Sequence, residues 1–156
     1  MITSDDLAVC SAFAPLSDEQ RTRLAHLARI VEFEPSAALL REGEPAVGCW
    51  LIRSGRVALE TAAPAGGPIV VQTLGPGELV GWSWLAPPHR WHFSATATTR
   101  VEAIEFDTDA VRAIADADPT LGYPLALGLT QTLLNRLQNT RGRLLDLYGS
   151  PRDRRD

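Results

Sequence analysis

The sequence predicts a single, mainly β domain with flanking helices, whose middle forms a small barrel or two-sheet jelly roll. The chain has 156 residues, 45% of them hydrophobic, which suits one core. Between Val31 and Asp107, short β-branched and apolar runs alternate with turns rich in glycine and proline. Nothing there is long and periodic enough for the helical crossovers of a parallel sheet. We expect one domain over residues 1–150, divided into a helical cap (4–30), a β-roll (31–107) and C-terminal helices (108–148), before a tail at 151–156.

The N-terminal residues predict two helices. Ser17 and Gln20 form a capping-box pattern, which marks the start of a helix. Leu24, Leu27, Ala28 and Val31 follow at helical spacing. A shorter helix is predicted from Ser4 to Phe13, ending before Pro15 because a proline disfavours helix at the residue before it.

Five strands can be read from the middle of the chain, and two helices from its end. The helices are Asp109–Asp116 and a longer one that begins after Pro119. The strand candidates are Cys49–Ile52, Val57–Thr61, Ile69–Leu74, Ser94–Thr98 and Val101–Phe106.

The long C-terminal helix carries an apolar stripe that predicts a seam for a partner, most simply a homodimer. Leucines alternate along it by three and four residues, and two threonines fill the intervening positions. The predicted seam comprises Thr130, Leu133, Leu137, Thr140, Leu144 and Leu147. The alternative is that the stripe packs on the β-roll of its own chain. The arginines of this helix, Arg136, Arg141 and Arg143, are expected on its solvated face.

Composition removes several classes of function. The formal charge is −4, so no overall positive field favours nucleic acid or anionic lipid. All fifteen basic residues are arginine, which excludes Schiff-base and phosphate-loop lysines. Catalytic motifs such as HExxH and GxSxG are lacking, so an enzyme is not predicted. With neither a signal peptide nor a membrane-spanning stretch, we expect a soluble, cytoplasmic protein.

Isolated acidic and thiol side chains are given structural roles. Asp107, Asp109, Asp116 and Asp118 stand at helix boundaries, where aspartate caps backbone N–H groups. The two cysteines lack CxxC spacing and are expected to be ordinary buried thiols. His89 and His92 could meet one ion, with Cys49 or His26 as a third ligand. We favour no metal site and predict no cofactor beyond a cyclic nucleotide or another small ligand.

The order of these elements resembles the cyclic-nucleotide-binding domain of the catabolite-activator and fumarate–nitrate-reductase regulator superfamily. The resemblance extends from about Leu7 to Leu147 and implies a double-stranded β-helix, the jelly-roll-like β-roll, with N-terminal helices and a long C-terminal helix. It rests on four segments: Phe13 with Leu16 and Ser17, Arg41–Pro45, Leu51–Val57 and Leu74–Gly81.

The resemblance places the phosphate-binding cassette at Gly81–Ala95, where this sequence departs from the family. Nucleotide-binding members have a glutamate for the ribose and an arginine for the cyclic phosphate. Trp82 stands at the glutamate position and Phe93 at the arginine position, while Ser94 and Ala95 keep the family pattern. The candidate ligand-binding residues are Gly81, Trp82, Ser83, Trp84, Arg90, Trp91, His92, Phe93, Ser94 and Ala95.

Three interpretations of this aromatic cassette stay open. The side chains could fill the old pocket with core, could form a remodelled site for a planar or apolar ligand, or could bind a cyclic nucleotide through Arg90 or a histidine. We expect a stand-alone regulatory module that does not bind cyclic AMP in the usual way and acts through a protein partner. A ligand-free structural or assembly subunit is the alternative. DNA binding by this chain is not expected, because few residues follow Tyr148.

Overall fold

The described residues of the computed structural model, 1–149, form two four-stranded antiparallel sheets flanked by helices. The side chains at 143 and 147–149 and the predicted tail at 151–156 lie outside this description. The strand order is β1-β8-β3-β6 in one sheet and β2-β7-β4-β5 in the other. The predicted jelly-roll-like β-roll with flanking helices is confirmed. The strands are β1 Ala28–Phe33, β2 Ala38–Leu40, β3 Cys49–Ser54, β4 Val57–Ala62, β5 Pro68–Leu74, β6 Leu79–Val80, β7 Ser94–Ala97 and β8 Val101–Phe106.

The predicted end of the helical cap is wrong by several residues. Helix α2 spans Asp18–Ala25, and β1 then begins at Ala28 rather than at Val31. Strand β1 pairs with β8 along its whole length, from Ala28 opposite Phe106 to Phe33 opposite Val101. This ladder satisfies the backbone N–H and C=O groups, so long-range pairing overrides the helical spacing of the apolar residues.

The predicted helix from Ser4 to Phe13 is two elements. Helix α1 spans Ser4–Ala8, and a 3₁₀ turn follows at Ser11–Phe13. The break brings Phe13 into the core, where its ring centroid lies 5.4 Å from that of Phe106. The capping box before α2 is confirmed, since the Gln20 amide donates to Ser17 Oγ at 3.2 Å and the Ser17 amide donates to Gln20 Oε1 at 2.9 Å.

Two C-terminal helices follow the roll and pack against each other. Helix α3 spans Thr108–Ala117 and α4 spans Pro119–Gly149. Pro124 lies inside α4 and cannot donate to the Thr120 carbonyl one turn earlier. Gln20 donates to that carbonyl at 2.9 Å instead, which ties α2 to α4.

The first half of α4 packs tightly against the N-terminal cap and the roll. Leu121, Leu125 and Leu129 are fully buried in the common core. Gly128 lies so close to the 3₁₀ turn that an added Cβ would overlap the Ala12 carbonyl oxygen. This half of the helix is therefore fixed on the roll, directly beside the predicted cassette. None of the helices in the described part of the chain is long and apolar enough to cross a membrane.

Candidate functional site

The cassette begins at Gly81, directly after β6, and its first residue fits only glycine. Gly81 has φ +89°, a left-handed conformation that costs other residues about 1–2 kcal/mol. A Cβ at this position would lie 2.9 Å from the Trp91 ring. Glycine is therefore required at position 81 both by the backbone conformation and by the close approach of the Trp91 ring.

Aromatic side chains nearly close the cavity inside the roll. Its remaining volume is about 20 Å³, which suits a single water molecule. Ligand pockets usually enclose roughly 300–1,000 Å³. Two lining residues were not predicted, Leu40 from β2 and Leu59 from β4. The lining comprises Leu40, Leu59, Gly81, Trp82, Ser83, Trp91, His92 and Phe93.

Trp91 is the most deeply buried aromatic residue that lines this cavity. Its ring centroid lies 6.2 Å from that of Trp50 on β3. The Trp91 amide donates to the Glu44 carbonyl at 3.0 Å, and its carbonyl accepts from the Gly43 amide at 2.9 Å. These bonds fasten the cassette to the turn between β2 and β3, so Trp91 is held inside the roll by backbone as well as by packing.

Arg90, predicted as a substitute partner for a phosphate, does not line the cavity. Its side chain is exposed, and Nη1 donates to the Gly43 carbonyl at 2.8 Å. His92 lines the rim of the cavity and is itself exposed. The structure therefore gives Arg90 a role in fixing the loop, which departs from the prediction because the loop turns its side chain outward.

Three further predicted ligand residues are also structural. Trp84 is buried away from the cavity, and its Nε1 donates to the Gly81 carbonyl at 3.1 Å. Ser94 accepts the Glu42 amide hydrogen at 3.0 Å on its Oγ, and Ala95 is fully buried in β7. These residues shape the cassette without lining the cavity, so their assignment as ligand-binding residues is not supported by the geometry.

Arg136 of α4, expected on a solvated face, is instead buried against the cassette. Its Cζ lies 4.5 Å from the centre of the Trp82 ring, within the range of a cation–π interaction. Its Nη2 donates to the Leu79 carbonyl on β6. Burial lowers the pKa of Arg136, and the nearby carboxylate of Glu78 opposes that shift. Sequence reasoning missed this contact, because it depends on how α4 lies against β6.

Most residues of the predicted seam on α4 are exposed, and only Leu133 among its described side chains is not. Leu137 and Leu144 are 64% and 52% exposed, whereas Leu133 is half-buried. Thr130 and Thr140 are exposed and donate to carbonyls of their own helix at 2.7 and 2.9 Å. Leu147 lies outside the described side chains. The exposed apolar residues are Tyr123, Leu127, Leu134, Leu137, Leu144 and Leu145, which we call the α4 face.

The carboxylates and thiols take structural positions. Asp107 Oδ1 accepts the Ala110 amide at the start of α3, and Asp118 Oδ1 accepts the Thr120 amide at the start of α4, both at 3.1 Å. Burial raises the pKa of the Cys10 and Cys49 thiols, which disfavours a reactive thiolate. No group of three histidine, cysteine or acidic side chains within the described residues could hold a metal ion.

A two-sheet roll with a cassette beside a long helix defines a class of regulatory domain. Residues 30–118 match the family model of the cyclic nucleotide-binding domain, and the chain belongs to this family. It is 32% identical over 117 residues to the CRP-like cAMP-activated global transcriptional regulator of Mycobacterium tuberculosis, covering 75% of this chain and 50% of that protein. The chain thus spans about half the length of this curated relative.

Solved structures show the same fold. A cyclic nucleotide-binding domain from Methylobacillus flagellatus superposes with a TM-score of 0.80 at 20% identity, covering 91% of this chain and 84% of that one. The N-terminal domain of a transcriptional regulator from Streptomyces coelicolor gives a TM-score of 0.72 at 25% identity, covering 85% and 94%. This chain therefore has the architecture of these two domains.

Proposed function

We propose that this protein is a regulatory module that does not bind cyclic AMP in the usual way and acts through its long helix on protein partners. The observation that carries the proposal is the closed cavity of the roll. Trp82, Trp91 and Phe93 leave about 20 Å³, far less than a nucleotide occupies. A ligand of that size would have to displace at least one of the rings.

The charge of the cavity supports the same proposal. A cyclic phosphate needs a cationic partner, and losing a buried one costs roughly 2–5 kcal/mol. Phe93 lines the cavity where the family has its arginine, and Arg90 donates to Gly43 outside it. Among the lining residues only His92 can carry a positive charge, and it lies exposed at the rim.

The α4 face supports action through protein contacts, with a second copy of this chain as the first partner. Leu127, Leu134, Leu137 and Leu144 fall at heptad spacing on one side of the helix, with Thr130 and Arg141 in the intervening positions. This side lies opposite the one that Leu125 and Leu129 bury in the core. The module needs no catalytic activity for this role, in keeping with the capping carboxylates and buried thiols.

A reversion experiment tests the cause of the closure. The double variant Trp82→Glu, Phe93→Arg restores the two family side chains, and calorimetric titration with cyclic AMP should then show saturable binding. Trp82→Phe, Phe93→Leu is the matched control, since it alters the same two positions without restoring charge. Binding by the reverted protein but not by the control supports the proposal. A folded double variant with no gain would show that the two side chains are not what prevents binding.

A further inference from the structure

A second cavity lies outside the roll, between α4, the 3₁₀ turn and the segment joining β5 to β6. Its volume is about 200 Å³, ten times that of the space inside the roll. Hydrogen-bonding side chains dominate its lining. They include Gln72, Glu78, Thr132, Asn135, Arg136 and Asn139.

Arg136 gives this cavity an unpaired hydrogen-bond donor on a charged group. The residue is only 9% exposed, and a guanidinium stays protonated at neutral pH. Its Nη2 donates to Leu79, but Nη1 is buried and has no hydrogen-bond partner among the described residues. The Trp82 ring attracts the positive charge but supplies no oxygen acceptor. A buried donor on a charged group strongly favours an acceptor, above all an anionic one.

The surrounding groups select the kind of anion. Glu78 lines the same cavity, and its carboxylate accepts the Gly75 amide at 2.6 Å. This negative charge disfavours a phosphate dianion more than a monoanion. The amides of Gln72, Asn135 and Asn139 can donate to a second oxygen or accept from a polar substituent.

We propose that this cavity binds a small molecule bearing a carboxylate, which accepts a hydrogen bond from Arg136 Nη1. Because Nη1 is buried, the proposed binding includes a rotation of the guanidinium that exposes Nη1 to the cavity, with the amides of Asn135 and Asn139 at the other end of the ligand. The site is separate from the space inside the roll, and the proposed function does not depend on it. Because Arg136 also contacts Trp82 and Leu79, a ligand here would act directly on the junction of α4 and the cassette.

Acetate is the simplest probe of this site. We expect a titration of ¹⁵N-labelled protein with sodium acetate, at constant ionic strength, to shift the amide signals of Glu78, Leu79, Asn135 and Asn139 in a saturable manner. Inorganic phosphate is titrated in parallel. Phosphate binding at these residues as tightly as acetate would overturn the carboxylate assignment. Acetate shifts that are linear in concentration or scattered over the surface would overturn the site.

Two variants and a control connect the binding to these residues. Arg136→Gln removes the charge, and Asn139→Leu keeps Arg136 but places apolar bulk at an exposed position of the lining. Arg136→Gln should weaken acetate binding at least tenfold, the effect of losing a charged hydrogen bond. Asn139→Leu should weaken it measurably, because the leucine side chain occupies space in the cavity. Gln138→Leu, on the same helix but outside the lining, should leave it unchanged. A folded Asn139→Leu protein that binds acetate as the wild type does would contradict the proposal, even if Arg136→Gln failed to fold.

Discussion

The cavity inside the roll and the cavity beneath α4 have opposite chemistry, although Trp82 lines one and contacts Arg136 of the other. The first is apolar and almost filled, at about 20 Å³. The second is ten times larger, polar, and bordered by a buried guanidinium. The resemblance to the family places Trp82 at the position of its ribose-binding glutamate, and the buried guanidinium of Arg136 lies against this indole. Through Trp82, the aromatic lining of the first cavity is in direct contact with the charged guanidinium that borders the second.

The largest expected effect comes from removing the ring that closes the roll. Trp91→Ala should lower the free energy of unfolding by about 3–5 kcal/mol, because a buried aromatic side chain is replaced by a cavity. Urea denaturation followed by circular dichroism measures the change. His92→Ala, at the exposed neighbouring position, should change the free energy by less than about 0.5 kcal/mol. Equal losses in the two variants would mean that Trp91 is not a core residue of the roll.

Alanine substitutions at Gly81 and Gly66 separate the free-energy cost of backbone strain from the cost of overlap with the Trp91 ring. Both have a left-handed conformation, with φ +89° and +93°, but only a Cβ at Gly81 would meet the Trp91 ring. Gly66→Ala should cost about 1 kcal/mol from backbone strain alone. Gly81→Ala should cost about 2 kcal/mol or more, since overlap with the ring is added. Identical costs in thermal or urea unfolding would show that Trp91 yields freely and that the closure is loose.

The contact between Trp82 and Arg136 should contribute less to the free energy of unfolding than the buried Trp91 ring does. A double-mutant cycle with Trp82→Leu and Arg136→Met should give a coupling free energy of about 0.5–2 kcal/mol, typical of a partly desolvated cation–π pair. Urea denaturation of the four proteins measures it. A coupling energy near zero would indicate that the Trp82 ring contributes nothing to holding Arg136 in place.

The smallest expected change in monomer stability concerns the α4 face. Leu137→Glu and Val47→Glu replace side chains that are 64% and 65% exposed, so neither should lower monomer stability by more than about 0.5 kcal/mol. Leu137→Glu should nevertheless reduce the mass measured by light scattering to that of a monomer, and Val47→Glu should leave a dimer. A dimer that survives Leu137→Glu, or a wild-type monomer, would contradict a self-associating α4 face.

The sequence was most informative where local signals decide the structure. The Ser17 capping box and the strand Val101–Phe106 were predicted correctly, because capping and short apolar runs between turns are encoded within a few residues. The start of β1 was not, since its pairing partner lies more than seventy residues further along the chain. Strands β2 and β6, of three and two residues, are too short to leave a pattern.

The candidate site shows a similar division. Trp82 and Phe93 were singled out from the sequence, and both line the cavity of the roll. Sequence alone could not show that Trp84 packs in the core whereas Trp82 lines the cavity. The two residues are almost adjacent and of the same type, so only the path of the loop decides where each indole lies. It also missed burial of Arg136, which depends on how α4 lies against β6.

Calorimetric titration of the wild-type protein with cyclic AMP and cyclic GMP tests the central claim most directly. The closed roll predicts no heat of binding for either nucleotide up to millimolar concentration, with the protein folded throughout. Saturable binding at micromolar concentration would contradict the claim, since it would require Trp82, Trp91 or Phe93 to move aside and a cation such as Arg90 to reach the phosphate.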